Sequence, residues 1–206
     1  MELTVHRGTK EVGGTCIEVR SGDSRIILDV GLPLFDADRE PFDSFRLRRM
    51  TKRELLAEGI LPKVEGLFVD GPSPDAILLS HAHLDHTGLL SHVEATIPII
   101  ASRGTSKMML AGGIFAGQVS IPRDQFREIK PEQPTTIGAF TVTGFAVDHS
   151  IFGCLAYLIE ADGKSILYTG DIRLHGRKPG MAKRLIEVLS GRSVDVMLME
   201  GTHFGF

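Results

Sequence analysis

The chain has no tryptophan, only two tyrosines and only two cysteines. It also has no apolar run near the roughly 20 residues that span a bilayer. Cys16 and Cys154 give no disulfide framework, so stability must come from a packed core, and a reducing cytoplasm is the expected setting. The start, Met1-Glu2-Leu3-Thr4-Val5-His6, lacks a basic region followed by an apolar one, so no signal peptide is recognisable. Neither sign of charge dominates: 23 Lys and Arg face 26 Asp and Glu, for a net charge of −3. A polyanion therefore cannot be gathered by a global field and would have to meet a local basic patch or a metal. Arg46, Arg48, Arg49, Lys52 and Arg53 form one such patch, best read as the solvated face of a short helix. Arg173, Arg177 and Lys178 form another. No linker-like stretch divides the chain, so residues 1–206 are expected to form a single domain with a substantial core.

What the chain does have is His81-Ala82-His83-Leu84-Asp85-His86, three histidines and an aspartate in six residues of a chain with eight histidines. The cluster directly follows the apolar run Ala76-Ile77-Leu78-Leu79-Ser80, which reads as a buried strand. His81 and His83 are two apart, so in extended backbone their imidazoles share a side. Asp85 and His86 are adjacent and must diverge, which suits a second ion beside the first. Imidazole and carboxylate donors fit zinc, with manganese and iron as further candidates.

Two eighteen-residue stretches, 14–31 and 153–170, read as hairpins closed by Ser21-Gly22-Asp23 and Ala161-Asp162-Gly163. Set glycine against glycine, they align Asp23 with Asp162, Arg25 with Lys164 and Ile27-Leu28 with Ile166-Leu167, suggesting two related halves. Helices are expected over residues 106–118, weakened by Gly112 and Gly113. Another is expected where Met181, Leu185, Val188 and Leu189 make one apolar face before Gly191. Residues 33–73 read as an insertion with one basic helix. Strands and helices mixed in both halves argue for an α/β layered fold.

Several apolar runs end in potential ligands: Ile26-Ile27-Leu28 at Asp29, residues 141–147 at Asp148-His149-Ser150, and residues 165–168 at Gly170-Asp171. Residues 194–199 end at Glu200-Gly201-Thr202-His203. The shared edge of a layered sheet structure could bring these together. Here the chain resembles the metallo-β-lactamase superfamily. The cluster at 81–86 resembles that superfamily's second motif, Asp29 its first, His149 its third and Asp171 in Tyr168-Thr169-Gly170-Asp171 its fourth. The phrases Asp148-His149-Ser150 and Tyr168-Thr169-Gly170-Asp171 are most similar to the β-CASP nucleases, typified by RNase J and the pre-mRNA cleavage endonuclease.

That resemblance implies a four-layer αββα sandwich built of two similar halves. It implies that His81, His83 and His149 bind one divalent metal ion, that Asp85 and His86 bind a second, and that Asp171 bridges them. Asp85 and His86 would take part in catalysis. Asp29 would orient a ligand histidine, and Ser150, His203 and Arg173 would serve beside the ligands or toward substrate. Two zinc ions, or manganese or iron, would make hydroxide available at neutral pH and balance charge on a phosphoryl oxygen. The implied activity is a metal-dependent phosphodiesterase acting on single-stranded RNA, with no membrane partner. The competing readings are a small-molecule ester or thioester hydrolase on the same metals, and a truncated, catalytically weak metal-binding module. The family's usual last histidine has no evident counterpart after Asp171, and the β-CASP insertion is absent. The chain is thus expected to be the N-terminal portion of a longer protein or a trimmed relative. Exposed apolar surface where a C-terminal segment is missing would favour a homo-oligomer.

Overall fold

The structure, a computed structural model, describes residues 1–36, 38–118 and 120–201. Two sheets stack face to face. The first runs in the spatial order β1 (Glu2–Arg7), β2 (Cys16–Ser21), β3 (Ser24–Leu28), β4 (Ala76–Leu78), β5 (Ile99–Ser102) and β6 (Phe126–Ile129). The second contains β7 (Thr135–Ile137), β8 (Phe140–Ala146), β9 (Leu155–Ala161), β10 (Lys164–Tyr168) and β11 (Val196–Leu198), in the order β11-β10-β9-β8-β7. The helices are α1 (Arg46–Arg49), α2 (Lys52–Ala57), α3 (Leu84–Thr87), α4 (Arg103–Phe115) and α5 (Pro179–Leu189).

Strand periodicity sorts the apolar residues into three cores. Ile26, Leu28, Ala76, Leu78 and Ile100 point inward and meet Val142, Tyr157, Ile159, Ile166 and Tyr168 of the facing sheet. Their alternates Ile27, Ile77 and Ile99 point outward, against Leu55 of α2 and Met109 of α4. On the far side Phe145, Val147, Ala156 and Leu158 pack beneath Leu185 of α5. The result is the αββα sandwich expected. Each buried aliphatic side chain contributes roughly 1.5–3 kcal/mol, and the inner core ties the two sheets together.

The two halves are real, but the glycine-to-glycine alignment is one residue out. Ile17 pairs with Leu28 in the first hairpin and Tyr157 with Tyr168 in the second. Arg25 therefore corresponds to Ser165, not Lys164, and Ile26 to Ile166. The physical reason is the two-residue side-chain period: a slip of one would exchange inner-core and outer-face residues. Only the observed register puts Ile17, Val19, Ile26 and Leu28 and their counterparts Tyr157, Ile159, Ile166 and Tyr168 all in the inner core.

Helix ends also follow local chemistry. α4 begins at Arg103, earlier than its apolar pattern suggests, because the Ser102 hydroxyl accepts from the Thr105 amide and caps it. The 33–73 region carries two short helices, not one. Met50 breaks out in extended conformation, and Thr51 with Glu54 restarts the chain through a capping box. Gly191 follows the end of α5 with φ of +82°. Among the described residues, no helix is long and apolar enough to cross a membrane.

Candidate metal centre

The strand ends converge on one edge of the sandwich. The segment after β4 bends at Ser80 and Ala82 and is extended at His83, which precedes the single turn of α3 that carries Asp85 and His86. His149 follows β8 and Asp171 follows β10. Two groups of donors result: His81, His83 and His149 lie together, as do His81, Asp85 and His86. His81 Nε2 is 3.0 Å from His83 Nδ1, which is 3.2 Å from His149 Nε2. Asp171 straddles the groups, with Oδ1 3.2 Å from His86 Nε2 and Oδ2 3.4 Å from His149 Nε2. Asp85 Oδ2 is 3.6 Å from His86 Nε2.

Asp29 governs this cluster from below. It is fully buried and holds φ at +56°, an uncommon conformation that aspartate tolerates better than most residues. Its Oδ1 accepts from the Ser80 amide at 2.7 Å, and its Oδ2 accepts from the Ser80 hydroxyl, His86 Nδ1 and the Tyr168 hydroxyl at 2.5 to 2.7 Å. The bond from His86 fixes the proton on Nδ1 and aims Nε2 at the ligand cluster. The Ser80 hydroxyl has only one proton and gives it to Asp29. At 3.0 Å from His81 Nδ1 it must therefore accept, which leaves His81 Nε2 as a bare lone pair. One carboxylate thus sets two tautomers, the second through a serine.

Among these side chains alone, burial and neighbouring charges divide the protons unevenly. Burial, followed by the nearby His86 charge, pushes His81 down to about 2, so its imidazole is neutral. Burial would also lower His86, but Asp29 and Asp171 overcome it and raise this histidine to about 10, so with these partners alone Nε2 also carries a proton, which a bound cation would displace. Burial would raise Asp171, yet its hydrogen bond with His86 and the surrounding histidines hold it down to about 2. Imidazole nitrogens facing one another 3.0–3.2 Å apart cannot all supply protons, whereas a divalent cation would accept their lone pairs. The donor set of histidine nitrogen and carboxylate oxygen fits such ions.

A model of the β-lactamase superfamily domain matches residues 57–205. The chain belongs to the β-lactamase superfamily. Within it, the chain is 31% identical over 214 residues to a ribonuclease J of Mycolicibacterium smegmatis, an alignment covering 98% of this chain and 34% of that protein. A solved structure of a protein of unknown function from Enterococcus faecalis V583 superposes with a TM-score of 0.78 at 25% identity, covering 99% of this chain and 50% of that one. A metallo-β-lactamase with a HARLDQ motif from Cronobacter sakazakii shares the fold, with a TM-score of 0.57 and 19% identity, covering 91% and 67% of the two chains. The fold is thus the metallo-β-lactamase fold. The chain spans less than half the length of the curated relatives it matches.

The residues singled out in the sequence fall into place unevenly. Asp29, His81, His83, Asp85, His86, His149 and Asp171 all meet. Ser150 is exposed, with Oγ 3.4 Å from His149 Nε2, and Arg173 lines a cleft shared with His149 and Asp171. His203 lies outside the described residues. Of the first basic patch, Arg46 pairs with Glu58 and Arg48 bonds the Gly117 carbonyl. His6 pairs with Glu18, and His175 is exposed beside Arg173. Ser80 and Tyr168 escaped the sequence reading; the hint was their position, one beside the cluster and one at the end of a strand leading to a ligand.

Proposed function

We propose that this chain is a metal-dependent hydrolase that cleaves phosphodiester bonds in single-stranded RNA. The observation that carries the proposal is Asp171, whose two oxygens divide between a three-histidine group and the Asp85–His86 pair. His81, His83 and His149 would hold one ion, Asp85 and His86 a second, and Asp171 both, with zinc preferred and manganese or iron as substitutes. Bound there, such ions would supply a nucleophile at neutral pH and positive charge to balance a phosphorane-like transition state.

The chain's own residues do the rest. Asp29 holds His86 and, through Ser80, His81 in the tautomers that present Nε2. Asp85 reaches the same space as His86 and can orient an attacking water by accepting its proton. Similarity to a ribonuclease J supports RNA as substrate, and the basic residues at 173–178, which form no salt bridge among the described residues, support a phosphate-bearing one. The buried, unlinked thiols of Cys16 and Cys154, the former pushed up to about 12 by burial, agree with a cytoplasmic setting. We further propose that residues 1–206 are one domain of a longer protein whose remaining segment, or a second copy, covers the exposed β11 edge.

The test is cleavage of end-labelled single-stranded RNA by metal-depleted protein resupplied with zinc or manganese, with metal content measured in parallel. Two ions per chain and RNA fragments are expected. Hydrolysis of esters or thioesters but not RNA would replace this reading with the small-molecule one.

A further inference from the structure

Beside the candidate ligand cluster lies an open cleft of about 820 Å³, bounded by residues 148–152 on one side and by Glu200 and the 171–178 segment on the other. Phe152, three residues past His149, is 65% exposed there. Leaving a phenylalanine in water forfeits roughly 1.5–3 kcal/mol of burial, and the loop is held so that it cannot fold the ring inward. The buried hydroxyls of Ser102 and Thr105 both donate to the Gly153 carbonyl, at 2.6 and 2.9 Å. Gly104 at the start of α4 lets the backbone reach the ring, where a Cβ would sit 3.0 Å from two ring carbons. The ring is therefore fixed by α4 while most of its surface stays open.

The opposite wall is fixed to the same segment by Asp148. Its carbonyl accepts from the Arg173 amide at 2.7 Å and its buried carboxylate from the Lys178 amide at 3.0 Å. Gly176 packs so closely on that carboxylate that no side chain would fit. Lys178 Nζ lies 5.7 Å from the Phe152 ring centre, a cation–π distance. Among the described residues, Arg173, Arg177 and Lys178 form no salt bridge. A rigid exposed aromatic and a cluster of unpaired cations thus share one cleft, on a protein whose net charge is −3.

We propose that Phe152 and the 173–178 loop form a subsite for one nucleotide of a single-stranded RNA, next to the bond to be cleaved. The base stacks on Phe152, and its phosphate lies between Arg177 and Lys178. Asp148 is a positioning residue that sets the distance between the two. The strand must be single because a base in a duplex already has its faces stacked, whereas any unpaired base offers a face to an aromatic ring. The inference rests on reading the centre as a phosphodiesterase.

The test is binding of a fluorescein-labelled octa-adenylate RNA to the full chain without added metal, read by anisotropy. Phe152→Ala should weaken binding roughly 5- to 100-fold, and Phe152→Trp should retain it. Arg177→Ala with Lys178→Ala should reduce the slope of log affinity against log salt by about 0.7, the share of one phosphate on a single strand. An abasic strand of equal length should bind the wild-type protein as weakly as adenylate binds Phe152→Ala. No wild-type binding, equal affinity of Phe152→Ala, or tight binding of the abasic strand would each overturn the subsite. Cleavage by metal-loaded wild type separates the two ideas. Cleavage with Phe152-independent binding defeats the subsite alone, and Phe152-dependent binding without cleavage defeats the hydrolase reading alone.

Discussion

Strands β1 to β4 and β8 to β11 run the same course, two antiparallel pairings followed by a parallel one. Their fastenings match. The Asp29 amide donates to the Leu78 carbonyl at 2.9 Å, and the Thr169 amide donates to the Leu198 carbonyl at 3.0 Å. Asp75, just before β4, accepts from the Arg25 amide as Asp195, just before β11, accepts from the Ser165 amide. What hangs on these equivalent positions differs. The first half has the buried carboxylate Asp29 where the second has Thr169, and its β4 leads into four potential ligands. The second half contributes His149 and the straddling Asp171, and its β11 lies at an exposed edge. Shared backbone fixes where strand ends arrive; side chains alone decide that one half holds the buried carboxylate Asp29 and the other the carboxylate that straddles both donor groups.

The largest expected effect removes one candidate ligand from each half. His83→Ala and Asp171→Ala should each lower RNA cleavage by more than about 1,000-fold, measured as kcat/KM with metal in excess. Both should melt close to the wild-type temperature, because both residues reach solvent. His83→Ala should lose one ion, whereas Asp171→Ala should weaken both. Loss of a single ion in Asp171→Ala would show that the carboxylate does not bridge. The next contrast sets Asp29 against Thr169. Asp29→Ala strands the donors of Ser80, His86 and Tyr168 and should cost about 3 kcal/mol in urea unfolding. Thr169→Ala loses one hydroxyl bond to the Gly170 carbonyl and should cost about 1 kcal/mol.

The candidate ligands stood out in the sequence because four of them sit within six residues and the others close apolar runs. The layered fold was legible from alternating strands and helices. The register of the halves was not, because glycines mark where loops need room and not which strand residues pair. Ser80 and Tyr168 were hidden for another reason. A serine before a histidine and a tyrosine in an apolar run have ordinary local readings, and only their meeting at Asp29, 51 and 139 residues away, gives them a role. Phe152 went unread in the sequence, and only the packing of Gly104 against its ring shows that it is held out.

A further contrast lies at the start of the second strand of each hairpin. Arg25, 3% exposed, donates through Nε and Nη2 to both oxygens of Glu18 and also to the Pro72 and Glu65 carbonyls; its counterpart is the small Ser165. Burial would raise Glu18, but Arg25, His6 and Arg20 hold it down to about 2. A carboxyl lowered in the folded state contributes stability above its unfolded value, near 4.5, and loses it as pH falls toward 2. Glu18→Gln should therefore cost about 2 kcal/mol at pH 7 and progressively less across that window. A cost independent of pH between 5 and 2 would mean the pair acts through packing alone.

The smallest effect separates the parallel strands themselves. Ile77 of β4 and Met197 of β11 are equivalent by register, yet the first is fully buried and the second 59% exposed. In the first half β3 and β5 flank the strand and α2 and α4 pack over it, whereas among the described residues β11 is an edge of its sheet. Met197→Lys should therefore change thermal stability by less than about 0.5 kcal/mol, since the ammonium stays in water and a charged edge is a common protective device. At position 77 the same charge would be buried among Ile27, Ile99 and Met109. A cost above about 2 kcal/mol for Met197→Lys would mean that this face is covered in solution, and that the two halves are more alike in packing than the described residues make them.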